Sequence, residues 1–207
     1  MAFHMYLAVL SGDIVDSTSL GASELDDVMR ALETASQEMA QWSPSVCHFT
    51  RQSGDGWQVA LGAVQFDLRA ALFLQAIVRR QGKHLRTRIA IAIDDGTLAD
   101  DPERDLNSAH GPAFITSGRL LSSLKGHAHL AHAVGGACHA AIALADHISD
   151  GWTQAQARAL CEMLPPNSGT RAEAAKRLGI SRPAVDQALW SAGFPAIDAA
   201  LTSWEDQ

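Results

Sequence analysis

Residues 46–61, VCHFTRQSGDGWQVAL, decide the fold. Two β-capable runs, 46–52 and 57–61, flank Ser53-Gly54-Asp55-Gly56, and the Asp-Gly step supplies turn chemistry, so the stretch predicts a β-hairpin. Working outward, residues 4–11 (HMYLAVLS) form an apolar run that ends in a Gly-Asp turn, the mark of a central strand. From Ser23, apolar residues at Leu25, Val28, Met29, Leu32, Ala35 and Met39 keep helical spacing until Pro44 ends it. On the other side of the hairpin, Phe66, Leu68, Leu72, Phe73, Ala76 and Ile77 give a second helix over 64–80 an apolar face. Residues 86–93 (RTRIAIAI) then alternate as a strand and stop at Asp94-Asp95-Gly96.

That order is β-α-β-β-α-β, the ferredoxin-like α+β arrangement of a sheet with two helices on one face. Beyond it, residues 100–107 are polar with Pro102 and read as a mobile loop. A third helix fits 112–124, a short strand 127–134, and an alanine-rich helix 137–147 bridges to the C-terminal segment. The expected division is 1–148 for the mixed unit and 149–207 for a small all-α unit. His127, His129 and His132 alternate with apolar residues, which predicts a strand with one wetter face and histidines that belong to the core rather than to a metal.

The chain has 207 residues, 47% of them hydrophobic, enough for a core without disulfide staples. Three cysteines (Cys47, Cys138, Cys161) without a CxxC pair predict reduced thiols and a cytoplasmic protein. The N-terminus has no basic region ahead of its short apolar run, and no stretch is long enough to span a bilayer, so no membrane role is expected. Net charge is −7, which excludes a general nucleic-acid binder and makes any DNA contact local. Residues 151–207 carry five Lys/Arg against six Asp/Glu, so nearly all the negative charge lies ahead of them. Within 170–190 Arg171, Lys176, Arg177 and Arg182 outnumber Glu173 and Asp186.

In the run 170–193, TRAEAAKRLGISRPAVDQALWSAG, Thr170 caps a short helix with Glu173 as its capping-box partner. Gly179 makes the turn, and Ser181 caps a second helix with Pro183 in its first turn. This spacing is that of a helix-turn-helix. Ala174, Leu178, Ile180, Val185 and Leu189 form its expected core. Thr170, Arg171, Ser181, Arg182, Asp186, Gln187 and Trp190 are the candidate DNA contacts, Arg182 and Gln187 being residue types that read guanine and adenine edges. The competing reading is a helical bundle that binds a partner protein.

In the mixed unit, Asp13 ends one strand and Asp55 sits in the hairpin turn. A ferredoxin-like sheet can bring them side by side, where two carboxylates repel unless a hard cation such as Mg²⁺ or Mn²⁺ bridges them. The stretch Ile14, Val15, Asp16, Ser17 and Thr18 leads into a helix and offers backbone N–H groups to a phosphate. Two solvated turn aspartates are the alternative.

Four segments in order, LAVLSGDIVDST, FTRQSGDGWQVAL, LRTRIAIAIDDG and GPAFITSGRLL, resemble the class III adenylyl and guanylyl cyclases. The GDGWQ turn and the GPAF helix start, ahead of a helix-turn-helix, resemble the SatD-like branch more closely. The resemblance implies metal-binding roles for Asp13 and Asp55, purine contacts at Arg51 and Ser108, and a transition-state arginine at Arg119. It also implies a homodimer with sites at the interface. Two positions depart from the pattern. Arg51 stands where adenylyl cyclases usually have lysine, and a planar fork is no equivalent of a compact ammonium. Ile115 stands in place of the asparagine that holds the ribose, a loss worth about a hundredfold in rate. The expected function is a DNA-binding transcription regulator whose degenerate cyclase-like domain dimerises and senses a purine nucleotide with Mg²⁺ or Mn²⁺. An active purine nucleotide cyclase, or a scaffold that only dimerises, are the alternatives.

Overall fold

The computed structural model describes residues 2–99 and 105–206. Five strands form one sheet: β1 (Ala2–Ile14), β2 (Cys47–Arg51), β3 (Gly56–Leu61), β4 (Thr87–Ala99) and β5 (Leu130–His132), in the order β2-β3-β1-β4-β5. The first four are antiparallel to their neighbours and β5 runs parallel to β4. With α1 (Ala22–Met39) and α2 (Asp67–Gln81) this is the expected β-α-β-β-α-β order. The left-handed residue of the hairpin turn is Gly54, φ 73°, rather than a residue of the expected Asp-Gly step.

Strand alternation splits the sheet into two faces. Ala8, Leu10 and Ile14 of β1 pack with Val28, Met29 and Leu32 of α1 and with α2. Leu7 and Val9 face the other way, against Ala113 and Phe114 of α3 (Pro112–Ser123). The fourth strand runs past its expected stop at Asp94-Asp95, because both aspartates stay in register with Leu7 and Tyr6 of β1. Of the expected loop 100–107, residues 100–104 lie outside the described residues. Asp105 and Leu106 are tied to the Thr50 hydroxyl on β2, at 2.9 and 2.7 Å.

The remaining helices are α4 (Ala137–Asp150), α5 (Gln154–Met163), α6 (Arg171–Leu178), α7 (Arg182–Ser191) and α8 (Phe194–Glu205). The 148/149 boundary falls inside α4, and one continuous core crosses it. The reason is α2. Rather than showing one apolar face, it is buried from Asp67 to Arg79, between the sheet on one side and α5 and α8 on the other. Its central run Ala70–Leu74 carries no polar residue and so must be covered on every side.

Polar bonds at both ends of α2 complete the attachment. Asp67, fully buried in its first turn, accepts hydrogen bonds from His132 Nε2 on β5 (2.7 Å) and Trp204 Nε1 on α8 (2.7 Å). His132 Nδ1 accepts from the Val134 N–H, which fixes the proton on Nε2. Arg69 bonds Glu205 on α8 and the Leu164 carbonyl after α5. His132 is thus a core histidine. Cys47, Cys138 and Cys161 are unbridged, and burial pushes the Cys161 thiol up to about 12.

Candidate functional site

The α3 face of the sheet is apolar at one end and polar at the other. At the polar end Asp13 on β1 lies between Gly56 of β3 and Arg88 of β4 in register. Arg88 grips the carboxylate with two bonds, Nε to Oδ1 at 2.8 Å and Nη2 to Oδ2 at 2.5 Å. That hydrogen-bonded carboxylate holds the guanidinium above the ordinary arginine range, and the Asp55 charge adds to the effect. Asp55 itself accepts a hydrogen bond from the Ser17 hydroxyl. The turn that brings Ser17 there starts at Asp16, whose left-handed backbone (φ 52°) is the only non-glycine case among the described residues.

The backbone of Asp13 is pinned from the opposite face. Thr87 Oγ1 donates to the Asp13 carbonyl at 2.6 Å and accepts from Trp57 Nε1 at 3.1 Å. The indole crosses β1 at Gly12, where a Cβ would stand 2.2 Å from the ring and 2.8 Å from the Arg88 carbonyl, so only glycine fits. Beside Asp13 a hydrogen-bonded chain runs along the α3 face. Gln52 donates to Gln58, Gln58 to Ser11 Oγ, and Ser11 meets Ser117 of α3 at 2.9 Å.

Arg88, Gln58, Ser11 and Ser117 escaped the sequence reading. Their signal is the period of two: Ser11 and Asp13, Gln58, and Arg88 are polar at alternate positions of strands that are otherwise apolar. Chemically the cluster offers two carboxylates and hard hydroxyl oxygens to a divalent cation, a donor set that suits Mg²⁺ or Mn²⁺. A cation on Asp13 would compete with Arg88 for the carboxylate oxygens. The freed guanidinium is then a donor for an anionic group such as phosphate.

The other expected nucleotide positions spread out. Ile14 is buried beneath the sheet, and the Val15 N–H donates to the Arg86 carbonyl, so the open part of the 14–18 stretch is Asp16, Ser17 and Thr18. Arg51 is opposite Trp57 in register and so lies on the α1 face, where it pairs with Asp26 at 2.7 Å and caps the Gly54 carbonyl. The structure does not bring it to the face of Asp13. Ser108 is exposed beyond Leu106, and its carbonyl meets His110 Nδ1. Ile115, 52% exposed, and Arg119 lie on the side of α3 turned from the sheet, while Ala113, Phe114 and Ser117 face it. Arg119 is exposed and has no partner among the described residues.

In the C-terminal helices both capping boxes form, Thr153 with Gln156 and Thr170 with Glu173. The bonds from Thr170 hold the Glu173 carboxyl below its usual range. Gly179 is left-handed (φ 66°) and Ser181 accepts from the Ala184 N–H, so α6, the turn and α7 follow the expected bounds. Ala174, Val185 and Leu189 form the core, Leu178 is half-buried, and Ile180, expected inside, is exposed because its turn projects outward.

Thr170 and Ser181 use their hydroxyls on their own helices. Arg171 and Arg182 converge on Asp186 at 3.0 and 3.7 Å. Gln187 is exposed and Trp190 is 75% exposed. Arg177 is drawn back to Glu162 on α5, leaving Lys176 as the cation of this face without an ion pair among the described residues.

No family model and no curated protein sequence matches the chain. Among solved structures it is similar to the guanylyl cyclase Cya2, at 17% identity and a TM-score of 0.44 over 62% of this chain and 74% of that one. It is also similar to the adenylyl cyclase CyaB from P. aeruginosa, at 18% and 0.42 over 61% and 76%. A third is the non-canonical dimeric guanylyl cyclase domain of the RhoGC fusion protein from the aquatic fungus Blastocladiella emersonii, at 19% and 0.44 over 60% and 77%. No helix among the described residues is long and apolar enough to cross a membrane.

Proposed function

We propose that this chain is a SatD-like, cytoplasmic, DNA-binding regulator. Its cyclase-like unit binds a purine nucleotide with Mg²⁺ or Mn²⁺, as a homodimer, without efficient turnover. The observation that carries the reading is the pairing of a capped helix, left-handed glycine and second helix, whose outer face is free, with a polar sheet end that shares one core with it. Helix α7 presents Arg182, Gln187 and Trp190 outward as a helix entering a major groove must. Arg171 and Ser181 stand where phosphate contacts would fall.

Slow or absent chemistry follows from three residues. Arg88 occupies Asp13, Arg51 is spent on Asp26, and Ile115 offers the ribose no hydrogen bond. When bound, the cation would supply charge neutralisation for phosphate. Asp13 and Asp55 would hold it, Arg88 would turn to the phosphate, and the Asp16–Thr18 backbone would offer N–H donors. Arg119, exposed and without a partner among the described residues, would reach the site of the second subunit.

The test is selection of bound fragments from random duplex DNA by the full chain, with affinity then measured with and without ATP or GTP and Mn²⁺. Enriched sites lost in Arg182→Ala, with affinity changed by one nucleotide, support the proposal. No enrichment refutes its DNA half, and no nucleotide effect refutes its sensing half. The retained Asp13, Asp55 and Arg119 also favour a second reading, an active cyclase. Cyclic nucleotide formed with Mn²⁺ and abolished by Asp13→Ala would establish it.

A further inference from the structure

A cleft of about 210 Å³ opens between α4 and α8, above α2. Its floor is Leu68 and Leu72. Ala141 and Ala145 of α4 face Ala196 and Ala200 of α8 across it. Each pair is four residues apart, so each helix puts two small side chains on one side of the cleft, beside the larger Leu144, Ile148 and Ile197. Such surfaces allow helices to approach closely, yet these two stay apart.

They stay apart because each is fastened elsewhere. Trp204 and Glu205 tie α8 to Asp67 and Arg69 of α2. On α4, Asp146 accepts the His129 N–H, and Asp150 is bound to Arg86 at 2.8 Å. The cleft is therefore braced open rather than left by poor packing. Among the described residues no charged side chain lines it. Its one polar group, the Trp204 N–H, is committed to Asp67. Water gains nothing there, and a dry apolar cavity of about 150 Å³ is already large enough to take up benzene.

Size argues against a protein occupant. Ten residues line the cleft, whereas a stable protein interface takes roughly 20–30 a side, and a helix is about 10–12 Å across. Trp204 contributes an aromatic ring to the lining, and Leu144, 65% exposed at the rim, can fold over what enters. We propose that this cleft is a binding site for a compact, uncharged aromatic molecule about the size of a substituted benzene ring. The site stands apart from the nucleotide and DNA readings. Because α8 forms one wall, occupancy adjusts the helix that packs against α7.

The test uses the full chain with alanine methyls labelled for NMR, titrated with toluene and with phenol, beside Ala145→Leu and Ala200→Leu. Toluene shifts the Ala145 and Ala200 methyls and raises the melting temperature. Phenol has the same shape but a hydroxyl without a partner, and binds roughly tenfold more weakly. Either leucine fills the cleft and weakens toluene roughly tenfold or more; Ala200 is exposed where Ala145 is half-buried, so Ala200→Leu keeps the test usable should the other misfold. Toluene without effect on these methyls up to its solubility limit overturns the proposal, as does a response that both leucines leave unchanged. Concentration-dependent self-association that shields the methyls without toluene also overturns it, assigning the cleft to a second copy.

Discussion

Replacing Arg88 by methionine separates the two ways of neutralising Asp13. The guanidinium makes two hydrogen bonds to the carboxylate, with side chains 37% and 18% exposed. Hydrogen bonds to charged groups contribute about 1.5–3 kcal/mol, and exposure of over a third on one partner brings the pair to about 1–2 kcal/mol after solvent screening. Methionine keeps much of the arginine stem's packing, so the loss is electrostatic, and the Asp13 and Asp55 charges that Arg88 had offset are left unbalanced. For a chain of this length that lowers the melting temperature by roughly 2–8 °C. Mn²⁺ at 100 times its dissociation constant then restores about 2.7 kcal/mol. The wild type gains less, because the cation must first displace the guanidinium. The assay is thermal unfolding of wild type, Arg88→Met and Arg88→Met/Asp13→Asn against Mn²⁺. An Arg88→Met variant that melts like wild type refutes the electrostatic account. Equal Mn²⁺ effects in all three proteins refute the assignment of the carboxylates as the cation site.

Asp186→Asn frees Arg171 and Arg182 and removes a negative charge, so duplex binding tightens and its salt dependence steepens by about one to two units, read by anisotropy across a salt series. Gly12→Ala drives a methyl into the Trp57 ring and costs about 3 kcal/mol or more in urea unfolding, part of which Trp57→Phe recovers. Arg69→Met strands Glu205 and the Leu164 carbonyl in a site where the two charged side chains are 7% and 16% exposed; it costs about 3–5 kcal/mol, with hydrogen exchange rising first in α8. Burial raises the Asp150 pKa, but Arg86, His129 and Arg79 outweigh it and leave the net value below 3.8. A depressed carboxylate stabilises the fold above its unfolded pKa, and that contribution is lost as pH falls through the folded one. Arg86→Gln therefore costs up to about 1 kcal/mol at pH 7, and urea melts of the two proteins converge below pH 3.8.

The mixed unit was legible because its signals are local. The hairpin at 52–56, the alternation of 86–93 and the helical spacing from Leu25 to Met39 each repeat a backbone period, and the elements form close to those bounds. The capping residues Thr170, Gly179 and Ser181 act on neighbours three or four positions away, so α6 and α7 were equally readable. The candidate site was half legible. Topology could place Asp13 and Asp55 at one end of the sheet, where both charges act on Arg88, whereas Arg88 itself needed the β1–β4 register, which turns a strand residue 75 positions away into the partner of Asp13. Arg51 shows the converse: one step of strand parity puts it on the wrong face, and linear spacing does not count parity through a turn.

The shared core was the least legible feature and has the widest consequence. The run Ala70-Ala71-Leu72-Phe73-Leu74 on α2 lacks a polar side, which alone required a second covering layer. That layer is α5 and α8, fastened through Asp67 and Arg69. A tethered module on a flexible linker would respond to the sheet only through effective concentration. Here any movement of α2 relative to the sheet moves α5 and α8 as packed neighbours, because a close-packed interface shifts between discrete arrangements rather than stretching. Coupling between Asp13 and α7 therefore has a material path, through β1, α2 and α5. Its polar fasteners are the place to cut it: under the proposed function, Arg69→Met keeps nucleotide binding at the sheet but loses the nucleotide's effect on duplex affinity, both read by anisotropy.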